Sequence, residues 1–341
     1  MLSDKQIEEI REWLEKAQNP LFFFDNDVDG LVSFLLLQRF IGRGKGVAIK
    51  SFPELHKNYS RKIDELKPDV IFILDKPLVD PEFFDAARMK NIPVVWIDHH
   101  PLQEFPEGVY YYNPLQGKEL SNEPVSYLCY KTVKKDLWLA MIGCISDWFV
   151  PDFIEEFRKK YSDLINNKKD AAEILYETDL GKIALILIFA LKNTTINVVK
   201  MLRVLEKTKD PYEILSENKK YEFILKRYEH LNKKFSELFE KADEIAKKSG
   251  KLVFFQYASE TKISSELANK LVYKWPSKII AVANVQGERA NISLRGFRVR
   301  MLVEKALESV EGRGGGHEMA SAATIKTDDI KKFVSEIEKQ L

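Results

Sequence analysis

Apolar runs and amphipathic stretches alternate through the first part of the chain. Five runs of large apolar residues are short enough to be buried strands, and they lie at 21–24, 47–52, 70–74, 94–97 and from Val109 onward. Between them, apolar residues recur with helical spacing at 30–41, 56–66 and 81–90. Strands that alternate with helices are typical of a parallel sheet covered on both faces. The pattern therefore predicts an α/β domain over residues 1–150.

The next part of the chain is helical by pattern. Residues 151–216 are predicted to form a helical extension or insert, and residues 217–249 one long connecting helix. From Tyr221 to Ile245 the apolar positions are alternately three and four residues apart, which makes a heptad seam. One interpretation is a helix packed on its own domain. The other is a coiled-coil contact between copies, which would make the protein a homo-oligomer.

The pattern changes again at Gly250. Residues 250–341 contain "KLVFFQYA", a helical stretch and "KIIAVANVQGERANISLRGF", which together predict a second, smaller α/β domain. Gly287 in "GERA" predicts a tight hairpin turn between two of its strands. The glycine-rich stretch "GRGGGH" at 312–317 predicts a loop before a C-terminal helix.

Composition narrows the class of protein. The chain has 341 residues, enough for two domains, and its net charge of +1 means that any nucleic-acid surface must be a local patch. The two cysteines have no paired spacing, which excludes a disulfide framework and fits a reducing, cytoplasmic environment. We expect no membrane association, because the start is charged and helical and the longest apolar run, "IALILIFAL", is too short to span a bilayer.

Acidic residues follow three of the predicted strands. Asp25, Asp27 and Asp29 come directly after "LFFF", while Asp75 and Asp98 follow two later strands. The carboxyl ends of parallel strands meet at one edge of a sheet, so we expect these side chains to lie together. A helix cap accounts for one acid at a strand end, but not for three in "DNDVDG". No matching set of lysines or arginines lies close in sequence, although one from elsewhere in the chain is an alternative; a pair of divalent cations is the simplest neutralising charge.

Nitrogen ligands and one more acid are available beside this cluster. His99 and His100 follow Asp98, and Asp147 lies within the apolar stretch "LWLAMIGCISDWF". A charge in such a stretch needs a partner, for which a structural salt bridge is the alternative to a metal. Mixed carboxylate and imidazole ligands favour Mn²⁺, with Mg²⁺ and Co²⁺ as alternatives.

These motifs resemble those of the DHH phosphoesterase family, in the family's order. "DNDVDG" is similar to its first motif, Asp75 to its second, "DHH" at 98–100 to its third and Asp147 to its fourth. "YNP" at 112–114 lies where RecJ-like members carry Asn-Pro. "GGGHEMASAA" and "ISLRG" resemble the glycine-rich and arginine motifs of the associated DHHA1 domain.

The resemblance implies a role for each residue of the cluster. One metal would use Asp25 and Asp27, and a second would use Asp29, His99 and Asp147, with Asp75 bridging the pair. His100 would face the scissile phosphate, and Asp98 would orient the histidines from behind. Asn26 and Lys76–Pro77 depart from the family's pattern locally, beside ligands, and remove none of them. Gly296 replaces the serine that follows the motif arginine, a position that bears on one phosphate contact.

The second domain would hold the substrate. A loop at "GRGGGH" would offer backbone amides to a phosphate, with arginine and histidine beside it; a plain tight turn is the alternative. Arginines at 289, 295, 298 and 300 would form a basic strip, or else a solvated strand face. The predicted substrate-binding residues are Arg295, Arg313, Gly314, Gly315, Gly316 and His317.

The function predicted first is a metal-dependent exonuclease that acts on single-stranded DNA or RNA in repair or replication. The resemblance is to archaeal RecJ-like nucleases. The chain leaves no room for an OB-fold after the DHHA1 signature, which favours 3′→5′ polarity. A likeness to the Hef-associated nuclease implies a repair helicase of the Hef type as partner.

Two alternatives remain open from the sequence. A nanoRNase-like enzyme would hydrolyse oligonucleotides of two to five residues or cyclic dinucleotides. A non-catalytic scaffold would bind nucleic acid without cutting it, although the complete set of ligand positions counts against that. A pyrophosphatase is disfavoured, since that branch of the family has a different second domain.

Overall fold

The chain forms two compact units, Met1–Tyr228 and Glu229–Leu341. The computed structural model describes residues 1–51, 53–117, 121–216 and 218–341. Residue 52, the last of one predicted strand, and residue 217, the first of the predicted long helix, lie outside the described residues. The predicted arrangement, a parallel-sheet domain followed by a smaller α/β domain, is confirmed.

A five-stranded parallel sheet is the centre of the first unit, with strand order β2-β1-β4-β6-β7. Two short strands, β3 and β5, pair separately. The strands are β1 (Leu21–Asp25), β2 (Lys45–Ile49), β3 (Glu54–Leu55), β4 (Ile71–Leu74), β5 (Leu78–Val79), β6 (Val94–Ile97) and β7 (Val109–Tyr112). In this order, β2 lies on one side of β1, and β4 lies on its other side. The order of the strands thus reverses direction between β1 and β4. The carboxyl ends of β1 and β4 therefore flank a topological switch point, where open sheets bind ligands.

Helices cover both faces of this sheet. Along β1, Phe22 and Phe24 belong to one apolar core, while Leu21 and Phe23 belong to the other. Alternate side chains of a strand point to opposite faces, so both faces are buried, as the continuous apolar runs predict. The first four helices are α1 (Asp4–Lys16), α2 (Val28–Ile41), α3 (Arg61–Leu66) and α4 (Pro81–Arg88).

A group of helices completes the first unit. It includes the segment at 151–216, where the structure has helices α7 to α12. The helices of the group are α5 (Val125–Val133), α6 (Leu137–Ser146), α7 (Ile154–Lys160), α8 (Ser162–Ile165), α9 (Ala171–Glu177), α10 (Asp179–Leu191), α11 (Thr195–Leu205) and α12 (Tyr212–Leu215). None of the helices in the described part of the chain is long and apolar enough to cross a membrane.

One long helix, α13 (Glu222–Lys248), runs from the first unit into the second. Its seam is buried inside the chain: Ile224 belongs to the core of the first unit, and Phe235 and Ala242 are at most 1% exposed. Burial within one copy accounts for the heptad pattern, which favours the connecting-helix interpretation. Ile245, at the end of the seam, is 40% exposed.

The second unit is a mixed five-stranded sheet of order β11-β12-β10-β9-β8, antiparallel except for the pairing of β8 with β9. Gly287 has a positive φ of 59° in the two-residue turn between β9 and β10, as predicted. The elements are β8 (Leu252–Tyr257), α14 (Ser264–Lys274), β9 (Ile279–Gln286), β10 (Arg289–Arg295), α15 (Val299–Leu307), β11 (Gly312–Gly316), β12 (Ala320–Lys326) and α16 (Ile330–Glu338).

The predicted glycine loop is wrong. The glycines form the edge strand β11, which pairs with β12 along its whole length. A Cβ at Gly314 would lie 2.5 Å from the carbonyl oxygen of Ala322 and 3.0 Å from Val303 of the helix above. The glycines are needed because backbone and helix approach this strand closely, a reason that a glycine-rich sequence does not reveal.

Candidate active site

The acids gather at the carboxyl edge of the first sheet. β1 ends at Asp25, and Asp75 and Asp98 follow β4 and β6. Asp75 has a φ of 58°, the left-handed conformation that few residues other than glycine adopt, and its N–H donates to the carbonyl oxygen of Ile97 at 2.9 Å. Such a conformation persists only where the surroundings impose it, and it often marks a functional site. The fold thus fixes the direction of the Asp75 side chain.

The predicted metal ligands, together with His100, form three overlapping groups. Within each group, one ligand atom per residue lies within 4.8 Å of the others. The groups are Asp25 with Asp27 and Asp75, Asp29 with His99 and Asp147, and Asp75 with His99 and His100. Asp75 and His99 each belong to two groups, so the three form one continuous cluster. The first two groups contain the two sets of ligands predicted from the sequence.

Among the residues that the structure describes, two buried atoms of this cluster have no hydrogen-bond partner. They are Oδ1 of Asp75 and Nδ1 of His99. The Nε2 atom of His99 lies 3.4 Å from Asp75 Oδ1 and 3.5 Å from Asp147 Oδ2, distances that suit a common ligand better than a hydrogen bond. Buried polar atoms are nearly always satisfied, so the unpaired carboxylate oxygen fits a site for cations. The donor set of carboxylates and imidazole fits a divalent cation.

Asp29 also builds the local fold. Its Oδ2 accepts a hydrogen bond from the N–H of Val125 at 2.8 Å, and its Oδ1 accepts one from the N–H of Ser126 at 2.9 Å. These amides begin α5, and a carboxylate there satisfies N–H groups that have no partner within the helix. The α5 segment is thereby attached to the cluster. Asp27 caps α2 by accepting from the N–H of Gly30 at 2.9 Å.

His100 is held by Asp98, as the resemblance implies. Its Nδ1 lies 2.8 Å from Asp98 Oδ1, and its backbone N–H donates to Asp98 Oδ2 at 3.1 Å. Asn113 of the "YNP" segment donates to the carbonyl oxygen of His100 at 2.9 Å and to the hydroxyl of Tyr111 at 2.8 Å. Asp98 is fully buried. With Nδ1 donating to a carboxylate, Nε2 is the nitrogen that a substrate or ion would meet.

Burial and mutual repulsion dominate the electrostatics of the carboxylates. Burial, together with the charge of Asp27, raises the pKa of Asp25 to about 6. Burial also raises the pKa of Asp29 to about 7, with the charge of Asp147 adding to it, and that of Asp147 to about 7, with the charge of Asp27 adding to it. The pKa of Asp75 lies well above its ordinary value for the same two reasons. Without cations, the cluster is therefore held in a partly protonated state.

The two histidines shift in opposite directions. Burial, and then the charge of His100, lowers the pKa of His99. Burial also acts to lower the pKa of His100, but the hydrogen bond and charge of Asp98 outweigh it and raise that pKa. A neutral His99 is a competent metal ligand, whereas a more basic His100 is suited to donating a proton or hydrogen bond.

Lys76 was missed as a member of the cluster. The sequence shows it only as a local variation on the family's pattern. In the structure, its Nζ lies 2.7 Å from Asp25 Oδ1, and its side chain is fully buried. The sequence shows no matching set of lysines or arginines near the acids, and Lys76 supplies a single positive charge to Asp25. Its position directly after Asp75 was the available signal, but that position does not show which way the side chain extends.

The predicted substrate residues lie in the second unit. Arg295 ends β10 and donates to Asn269 Oδ1 at 2.5 Å and to the carbonyl oxygen of Leu294 at 2.7 Å. Gly296 donates its N–H to the carbonyl oxygen of Met319 at 3.0 Å, which brings this end of β10 beside the turn after β11. Gly314, Gly315 and Gly316 lie in β11, with Arg313 before them and His317 after them, both exposed.

The predicted basic strip does not form as one surface. Arg289 lies at the opposite end of β10 from Arg295, and Arg300 lies on α15, where it pairs with Glu304 at 2.8 Å. Gly296 has a φ of 129°, and a Cβ there would lie 2.8 Å from Ile279. A serine at this position would be strained, which explains the departure from the family's pattern.

Known families match both units. Residues 21–143 match the DHH family, N-terminal domain, and residues 236–341 match the DHHA1 domain. RecJ of Thermus thermophilus in complex with Mn²⁺ has a similar fold, with a TM-score of 0.69 and 15% identity over 99% of this chain. The present chain spans only 55% of that RecJ chain.

Two further solved structures share the fold. An exonuclease RecJ bound to manganese has a TM-score of 0.68 at 15% identity, covering 99% of this chain and 95% of its own. A DHH domain from a member of a family of ribosomal proteins has a TM-score of 0.69 at 14% identity, covering 98% of this chain and 89% of its own. No curated protein matches the sequence. At these identities the structural likeness shows the fold alone.

Proposed function

Because this chain belongs to the DHH/DHHA1 phosphoesterase family, we propose that it is a metal-dependent exonuclease of single-stranded nucleic acid. The observation that carries the proposal is the continuous cluster of ligand atoms around Asp75, whose buried Oδ1 has no hydrogen-bond partner. A fold needs no such cluster for stability, since the repulsion within it opposes folding. Solved RecJ structures that contain manganese support this proposal.

Two divalent cations would be held by the residues of this cluster. Asp25 and Asp27 would hold one, Asp29, His99 and Asp147 the other, and Asp75 would contact both. Bound there, such cations would lower the pKa of a coordinated water and neutralise charge on the phosphate. We propose Mn²⁺ as the ion, with Mg²⁺ and Co²⁺ as alternatives, from the mixed oxygen and nitrogen donors.

His100 would act on the phosphate itself. Asp98 fixes the orientation of its ring and raises its pKa, so the imidazole is kept as a hydrogen-bond donor near neutral pH. Its Nε2–H would donate to an oxygen of the scissile phosphate and stabilise the charge that develops there. Asp98 would act through His100 and would not contact the substrate.

The second unit would hold the end of the nucleic-acid strand. Arg295, positioned by Asn269, would contact a phosphate. The edge β-strand β11 would offer backbone N–H groups, together with the side chains of Arg313 and His317. Phe297, which is 60% exposed beside Arg295, suits stacking against a base. Stacking and phosphate contacts tolerate any sequence, as an exonuclease requires.

The proposal extends to the direction of cleavage and to the biological setting. We propose 3′→5′ cleavage of DNA or RNA strands in repair or replication, with a repair helicase of the Hef type as partner. The partner is what the resemblance of the motifs to archaeal RecJ-like nucleases implies. End-labelled strands of several lengths, incubated with the protein and Mn²⁺, test the cleavage and its direction. Shortening from the 3′ end, with label retained at the 5′ end, is the expected result.

The same assay tests the alternatives. Cleavage confined to strands of two to five nucleotides would replace the exonuclease with an oligonucleotide hydrolase. Binding without any Mn²⁺-dependent cleavage would favour the scaffold. Shortening from the 5′ end would leave the nuclease standing and overturn the polarity.

A further inference from the structure

Lys76 is held both at its backbone and at the end of its side chain. Its carbonyl oxygen accepts a hydrogen bond from Trp96 Nε1 at 3.0 Å, so the backbone beside Asp75 is fixed. Its Nζ lies 2.7 Å from Asp25 Oδ1 and donates to the carbonyl oxygen of Ser51 at 2.7 Å. The side chain is 0% exposed, whereas lysines are almost never fully buried without a partner. The position is a built ion pair and not a surface contact.

This ammonium group pairs with a carboxylate of one predicted cation position. Asp25 belongs to the group with Asp27 and Asp75. In the other group, Asp29 accepts hydrogen bonds from the backbone N–H groups of Val125 and Ser126, and Asp147 Oδ2 lies 3.5 Å from His99 Nε2. Lys76 therefore brings a fixed positive charge to the first group, whereas the amides that contact Asp29 in the other group are uncharged.

We propose that Lys76 makes the two cation positions unequal, so that the Asp29–His99–Asp147 position fills first and the Asp25–Asp27–Asp75 position binds weakly. This inference rests on the proposed metal-dependent function. A fixed positive charge repels a divalent cation, and the repulsion is large where water is excluded. The second cation then binds best together with a substrate phosphate, whose negative charge offsets that of Lys76.

Mn²⁺ binding to the full chain, measured by titration calorimetry and electron paramagnetic resonance, tests this directly. We expect two dissociation constants about 100-fold apart or more in the unaltered protein. Lys76→Met should tighten the weaker site at least about tenfold, so that the spin-coupled signal of a Mn²⁺ pair appears at lower concentration. Lys76→Arg keeps the charge and should keep the two constants apart.

Lys50→Met is the matched control. Lys50 is exposed, binds the carbonyl oxygen of Asn193 at 2.8 Å and lies outside the carboxylate cluster. This variant should bind Mn²⁺ as the unaltered protein does. If Lys76→Met does not fold, as circular dichroism would show, the two constants of the unaltered protein and of Lys76→Arg decide the matter.

Two equal constants in the unaltered protein, or an unchanged weak site in a folded Lys76→Met variant, would overturn the inference alone. Absence of any Mn²⁺ binding would overturn both the inference and the proposed function. Unequal binding without cleavage of any strand would refute the proposed function and leave the role of Lys76 standing.

Discussion

Removal of divalent cations should make the stability of the first unit depend on pH. In the absence of cations, several carboxyl groups of the cluster bind a proton more tightly in the folded chain than in the unfolded chain. Asp29 is the clearest of them, since its pKa rises from 3.8 to about 7 and its side chain is 1% exposed. The folded state then carries more protons than the unfolded state across that window, so the free energy of unfolding falls as pH rises through it.

The size of the effect follows from the same shift. One pKa unit is worth about 1.4 kcal/mol, so Asp29 alone corresponds to about 4 kcal/mol between acidic and mildly alkaline pH. The carboxyl groups titrate together, and this figure sets the scale for the group rather than for each member. The lowered pKa of His99 adds stability as pH rises, while the raised pKa of His100 removes it. The histidines oppose each other, and the carboxylates decide the sign.

Urea unfolding in EDTA at several pH values measures this. Four of the five tryptophans lie in the first unit, so their fluorescence reports mainly on it. Asp147→Asn removes the charge that adds to the shift of Asp29 and should flatten the dependence on pH. Adding Mn²⁺ at pH about 8 should restore the lost stability, since a ligand of the folded state stabilises it. A free energy of unfolding in EDTA that stays level or rises between about pH 5 and 8 would refute the reasoning.

Three further substitutions test separate parts of the account. Asp98→Asn should slow strand cleavage by about 10- to 100-fold and shift the alkaline limb of its pH–rate profile to lower pH, because His100 loses the charge that raises its pKa and so loses its proton at a lower pH. A pH–rate profile of the folded variant checks this. Gly314→Ala should destabilise the second unit by about 1–3 kcal/mol, because the new Cβ would lie 2.5 Å from the carbonyl oxygen of Ala322. Gly250→Ala is the control, since a Cβ there meets open space, and thermal unfolding compares the two variants. Phe297→Ala should weaken strand binding by about 1–3 kcal/mol and leave Mn²⁺ binding unchanged, as fluorescence anisotropy and calorimetry would show; equal losses in both would contradict a stacking role.

The sheet and its acidic edge follow from the sequence because the pattern is local. A run such as "LFFF", buried on both faces and followed by a charge, fixes both the strand and its end. The central strands at 71–74 and 94–97 agree with prediction within one residue. The prediction is less accurate for the edge strand β2, which covers 45–49 and not 47–52. The ends of this strand are set by its pairing with β1, which no local pattern encodes.

The features that the sequence does not show depend on contacts between residues that are far apart in the chain. The contact of Lys76 with Asp25 spans 51 positions and depends on how β1 and β4 lie side by side. β11 was predicted to be a loop because glycine lacks the alternating side chains by which strands are identified. The capping role of Asp27 was accessible from the sequence, since a helix cap is the alternative that accounts for one acid of "DNDVDG".

The most direct test of the central claim compares the unaltered protein with Asp75→Asn on an end-labelled single strand in Mn²⁺. Asparagine tolerates the left-handed backbone at this position, so the variant should fold while losing the oxygen charge that both cations would share. We expect strand cleavage by the unaltered protein and a loss of at least about 100-fold in the folded variant. Cleavage at an undiminished rate by Asp75→Asn would contradict the account.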